Sequence, residues 1–79
     1  MSKLSILEVM ESHPDIELYI QYDAPHLRII VAGIKHTNSK VIHAEKVIDK
    51  MEIDAVSSDK DDLLIQVIDE IVYEIRKQT

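Results

Sequence analysis

From Asp59 to Lys77 the chain runs without a Gly or Pro, and every local signal along that span agrees on one helix. Ser58 is a good N-cap, Asp59, Asp61 and Asp62 sit at the positive end of the helix dipole, and Arg76 and Lys77 sit at its negative end. Spaced at roughly 100° per residue, Leu63, Leu64, Ile65, Val67, Ile68, Ile71, Val72 and Ile75 fill an arc of about 200°, far wider than the stripe of an ordinary surface helix. One sheet does not cover so wide a face. Part of it is expected to meet a second surface, either a helix from the N-terminal segment or another copy of the chain.

At 79 residues the chain has room for one core, so a single domain over 1–79 is expected. That core has no covalent or metal staple to lean on: there is no cysteine, hence no disulfide and no thiolate zinc site. Dimerisation is the common remaining device for a domain this small, and a homodimer is expected. With 46% hydrophobic residues, one Gly and two Pro, the composition is that of a folded domain rather than a disordered one. Tyr19, Tyr22 and Tyr73 are the only aromatic residues, so the core must be aliphatic and stacking platforms for bases are scarce.

Upstream of the helix the hydrophobic period changes. Residues 2–12 read as a short helix, with Ile6, Leu7 and Met10 on one face and Ser5 followed by Glu8 at capping-box spacing; Ser2 is an alternative cap. His13-Pro14 closes it, because the residue before proline is pushed out of the α region. From Asp15 the period is two: Ile16, Leu18, Ile20 and Tyr22 alternate with Glu17, Tyr19 and Gln21, which predicts a strand with one face in a core. Asp23-Ala24-Pro25-His26 is a turn, and Leu27–Ile34 follows as a second strand whose Ile30 and Ala32 make the other face apolar too, as expected of a central strand. Gly33 and the polar run from Lys35 to Ser39 mark the next turn.

Residues 40–56 fit two patterns. Val41, Ala44, Val47, Ile48, Met51 and Ala55 suit a helix, whereas Lys40 to Ile48 suits a third strand. Strand is favoured, because a two-stranded hairpin is marginal alone and Asp49 with Glu52 offers a capping box for a helical turn after residue 48. The expected fold is therefore α+β: a short N-terminal helix, a three-stranded antiparallel meander, and a long C-terminal helix packed on the sheet.

The net charge of −6 is unevenly spread: residues 1–44 carry four Lys or Arg against five Asp or Glu, residues 45–79 five against ten. On the C-terminal helix Asp62, Asp69 and Glu70 fall on the arc left free by the apolar residues, joined by Gln66 and Tyr73, with Glu74 at its rim and Asp59 and Asp61 extending the charge into the first turn. Such a face either keeps a small protein soluble or presents negative charge to a basic protein surface. It repels phosphate, so direct binding to nucleic acid or an anionic membrane is not expected. Lys60, Arg76 and Lys77 dilute the field.

Chemistry is poorly served by these residues. The serines lie at predicted caps and turns, and there is no nucleophile elbow, glycine-rich phosphate loop or catalytic cysteine. The carboxylates lack a calcium-loop pattern, and Asp residues at a helix start are explained by the dipole. His13, His26, His36 and His43 all precede residue 44; His36 and His43 flank one turn, but no third zinc ligand stands at diagnostic spacing. Lys35, His36, Lys40, Lys46 and Lys50 form a modest basic region without interleaved aromatics. No enzyme activity, cofactor or metal is expected. Lys3 and Glu8 interrupt the first ten residues, and no long apolar run follows, which points to a cytoplasmic chain.

In size, charge and layout the chain resembles small proteins of phages and mobile elements, some of which inhibit host nucleases or DNA-binding proteins by imitating DNA charge. The resemblance covers no motif and transfers no functional residue. What it implies is a non-catalytic inhibitor or modulator that occupies a basic, nucleic-acid-binding surface of a host protein; the residues expected to do so, read from the acidic side of the last helix, are Asp59, Asp61, Asp62, Asp69, Glu70 and Glu74. The alternative expectation is a homodimeric assembly module joined through Ile65 and Val72 on the aliphatic face of the last helix.

Overall fold

The computed structural model describes residues 5–55 and 60–78. Chain order is α1 (Ile6–Glu11), β1 (Glu17–Asp23), a 3-10 turn (Ala24–His26), β2 (Arg28–His36), β3 (Val41–Asp49), α2 (Lys50–Ala55) and α3 (Lys60–Lys77). The strands form one antiparallel sheet in the order β1-β2-β3, so the fold is the α+β meander with terminal helices that the periodicity predicts. Residues 41–49 are strand and the helical turn begins at Lys50, which settles the ambiguous stretch.

Local chemistry accounts for the boundaries. The Ser5 hydroxyl accepts from the Glu8 amide at 3.1 Å and donates to the Glu8 carboxylate at 3.3 Å, so Ser5 caps α1. The expected start at residue 2, and the Ser58 cap of α3, lie outside the described residues. Between β1 and β2, Pro25 sits in the first turn of the 3-10 segment, and Leu27 takes the left-handed conformation at φ 49°. A β-type strand begins only after it, at Arg28. The Leu27 carbonyl still accepts from the Lys50 amide at 2.9 Å, which fixes this strained residue against the end of β3.

Gly33 does not mark a turn. It lies inside β2, where a Cβ would stand 2.8 Å from Ile71 Cγ2 and 2.9 Å from Ile75 Cδ1, so its bare backbone is what lets α3 settle onto the sheet. The β2–β3 turn instead rests on Thr37, whose hydroxyl donates to the Lys40 carbonyl at 2.8 Å and accepts from the Lys40 amide at 3.0 Å. Lys35 and His36, expected in that turn, are the last residues of β2.

The core is aliphatic throughout. Val31, Ile42 and Ile48 of the sheet meet Val67, Ile68, Ile71, Val72 and Ile75 of α3, with Val9, Ile16 and Ile53 closing the ends. Fully burying one such side chain contributes about 1.5–3 kcal/mol, so this cluster is the principal source of stability. α1 packs on α3, and this explains the width of the apolar arc: sheet and α1 cover it from two sides. Val72 is only 6% exposed and Ile65 is half-buried against the same cluster. Of the two residues expected at a dimer contact, Val72 is therefore taken up by the chain's own core, while Ile65 keeps part of its surface exposed.

One ion-pair cluster ties distant parts together. Arg76 donates to both oxygens of Asp15, at 3.0 and 3.1 Å, and Lys35 lies 3.0 Å from the same carboxylate. These cations hold the Asp15 carboxyl well below the usual carboxylate range. The approach to β1, the end of β2 and the last turn of α3 are thus joined at one point.

Candidate protein-binding surface

On α3 the residues opposite the core are Gln66, Asp69, Glu70, Tyr73 and Glu74, at the i, i+3, i+4, i+7, i+8 spacing that stacks side chains on one face. Together with Lys46 of β3 they line a shallow groove of about 440 Å³ between the helix and the sheet edge. Tyr73, 66% exposed, stands between the carboxylates with its ring open to solvent.

The predicted acidic residues fare differently. Glu70 is ion-paired with Lys46 across the groove, so its charge is partly neutralised. Asp69 and Glu74 are exposed, and among the described residues no cation pairs with either carboxylate. Asp61 and Asp62 are exposed in the first turn, beyond the groove, and Asp59 lies outside the described residues. The structure therefore brings Asp69, Glu70 and Glu74 together around Tyr73 and leaves the first-turn carboxylates apart from them.

Two of the three cations expected to dilute this face are engaged elsewhere, and the third, Lys77, is exposed in the last turn of α3. Lys60 reaches Asp54 at 3.3 Å, a carboxylate that also holds Lys50 at 2.7 Å, and Arg76 is clasped to Asp15. Lys50 and Lys60 lower the Asp54 pKa, and Asp54 in turn raises that of Lys50. The modest basic region of the sequence disperses in the same way: Lys35 turns to Asp15, Lys46 to Glu70, and His36 lies 3.8 Å from Glu17.

His36 and His43 do share the outer face of the sheet, opposite Val41 and Ile34 respectively. They stand as diagonal rather than direct neighbours, and among the described residues no group of three or more His, Asp or Glu converges as a metal site would require. No described helix is long and apolar enough to cross a membrane.

Sequence reasoning missed a second surface. The outer face of the sheet carries Ile30, Ala32 and Ile34 from β2 and Val41 and Val47 from β3, with no described element over it. The signal was present in β2, whose apolar residues occupy both parities, and in the pairs Val41–Ile42 and Val47–Ile48, which place one aliphatic residue on each side. Comparison with protein-family models, curated proteins and solved structures gave no match to this chain.

Proposed function

We propose that the chain is a small, non-catalytic protein-binding module that occupies a basic surface of another protein through the outer side of α3. The observation that carries this reading is the trio Asp69, Tyr73 and Glu74: two exposed carboxylates without a cationic partner among the described residues, flanking an exposed aromatic ring. A Lys or Arg from a partner gains both a carboxylate and a ring face at that point, and the Lys46–Glu70 pair supplies a rim that can exchange partners. Clustered Lys and Arg are the surface that nucleic-acid-binding proteins present, so a protein of that class is the natural target, with the acidic helix standing in for phosphates.

The test is a titration of the isotope-labelled chain with a lysine- and arginine-rich peptide, followed by NMR. Shifts should concentrate on residues 66–74 and Lys46, and affinity should fall steeply with added salt. The double variant Asp69→Lys with Glu74→Lys should bind at least about tenfold more weakly while keeping its fold, about 1.4 kcal/mol in binding free energy. Shifts centred elsewhere, or an unchanged affinity in that folded variant, would overturn the reading.

A further inference from the structure

An antiparallel sheet with one face in water normally alternates, apolar inward and polar outward. β1 obeys this rule, presenting Glu17, Tyr19, Gln21 and Asp23 outward. β2 and β3 break it. Their outward residues include Ile30, Ala32, Ile34, Val41 and Val47, and Val41 and Val47 are 60% and 47% exposed. α3 lies on the opposite side, over Gly33, and α1 and α2 pack against α3, so the described helices leave this face open.

We propose that the outer face is a homodimer interface, in which two copies pack sheet on sheet about a two-fold axis running parallel to β2. Self-complementarity of the rows is what selects a second copy. The pairing register gives three rows across the middle of the face: Glu17, Ile34, His43; then Tyr19, Ala32, Glu45; then Gln21, Ile30, Val47. An axis parallel to β2 keeps each row level and exchanges β1 with β3. Glu17, which in the single chain accepts from the Tyr19 hydroxyl at 2.8 Å, then faces a second copy's His43; Tyr19 faces a second copy's Glu45, to which its hydroxyl redirects that bond; and Ile30, Ala32 and Ile34 meet themselves. An axis across the strands would instead set Glu45 against Glu45. An interface of identical patches must satisfy itself; this orientation does so in the rows of Ile34 and Ala32, while the Ile30 row sets Gln21 against a second copy's Val47.

Size and shape agree with that arrangement. Three strands of up to nine residues span about 30 by 15 Å, a flat area of about 450 Å². Projecting side chains raise the accessible area toward the roughly 800 Å² per partner of a standard interface. A hollow of about 540 Å³ lies along β1 beside Ala32, bounded by Tyr19, Gln21, Ile30 and Glu45 of the outer face and by Leu18 and Ile20, and gives opposing side chains room to interdigitate across a sandwich about 10 Å thick. The end row is repulsive in this orientation, with Asp23 against a second copy's Asp49 and Arg28 against itself, but the inter-sheet twist of about 30° splays that end into water. There Asp23 is already held by Arg28 at 2.9 Å.

This inference is independent of the acidic surface on α3, which stays exposed in the dimer. Sedimentation equilibrium of the full chain, from low micromolar to several hundred micromolar, should show conversion to twice the 9.1 kDa chain mass. Val47→Glu, which places a carboxylate beside Ile30 and opposite a second copy's Gln21, should weaken the dimer at least about tenfold with the fold retained. Glu45→Arg, polar in both forms and exposed in the monomer, gives the same reading should Val47→Glu fail to fold. Isotope-filtered NOEs should connect Tyr19 of one copy to Glu45 of the other. A chain that stays monomeric throughout, a dimer indifferent to both substitutions, or one whose contacts map to the outer edge of β1 or β3 or to a helix, would each overturn the proposal.

Discussion

The two faces of the three-stranded sheet are built from the same strands and end in opposite circumstances. On the inner face Val31, Ile42 and Ile48 are buried beneath α3, and Gly33 gives up its side chain so that Ile71 and Ile75 can approach. On the outer face Ile30, Ala32 and Ile34 form an apolar row along β2, with Val41 and Val47 of β3 near its two ends and His43 and Glu45 between them, and no described element covers it. The difference separates two uses of hydrophobic surface: one face is consumed in making the fold, and the other remains available after the fold is made. Most of the aliphatic arc of the last helix is covered by α1 and the sheet, whereas no described helix covers the outer face of the sheet.

The largest expected effect sharpens that contrast directly. Ile71→Ala, on the inner side, should cost about 2–5 kcal/mol in urea unfolding at low protein concentration, a large share of a total stability of about 5–15 kcal/mol. Val47→Ala, on the outer side, should change the same measurement by less than about 1 kcal/mol. Equal losses would erase the distinction between the faces. Next in size is Gly33→Ala, where the added carbon collides with Ile71 and Ile75; a loss of about 1–3 kcal/mol is expected from the same unfolding curves.

The smallest effect concerns pH. The Asp15 carboxyl is ordinarily near 3.8 and is depressed in the fold by Arg76 and Lys35. A depressed carboxylate stabilises the fold above its unfolded value, so its contribution is complete at neutral pH and declines as pH falls through and below 3.8. Asp15→Asn should therefore reduce stability at neutral pH and flatten the acid limb of the stability profile, leaving both faces of the sheet unchanged. Because the carboxylate is solvent-exposed, the change should be modest and reduced by salt.

Most of the architecture was legible because it depends on local period and caps. Alternation gave β1 and β2, the Ser5–Glu8 box gave the start of α1, and the unbroken run to Lys77 gave α3. Residues 40–56 were ambiguous for a physical reason: Val41, Ala44, Val47 and Ile48 satisfy a helical stripe as well as a strand apolar on both sides. The features that escaped are those made between elements. Asp15 and Arg76 stand 61 positions apart, and nothing local announces their bond. Gly33 reads as a turn residue until the helix above it is known, and Leu27 carries no sign that it must adopt a left-handed conformation. For the acidic surface, the sequence located Asp69, Glu70 and Glu74 on one side of α3, but not that Lys46 would engage Glu70 while Lys60 and Arg76 turned away.

Neighbouring residues on β2 offer the sharpest test, because the native chain has no cysteine and a single introduced thiol reports its own surroundings. Val31 is fully buried on the inner face, and Ala32 points to the outer one. A Val31→Cys thiol should resist alkylation at every protein concentration until the chain unfolds. An Ala32→Cys thiol should react readily in dilute solution and become protected as concentration rises. Equal reactivity at the two positions, or protection of Ala32→Cys that is independent of concentration, would contradict a sheet with one face closed by the fold and the other closed by a second copy.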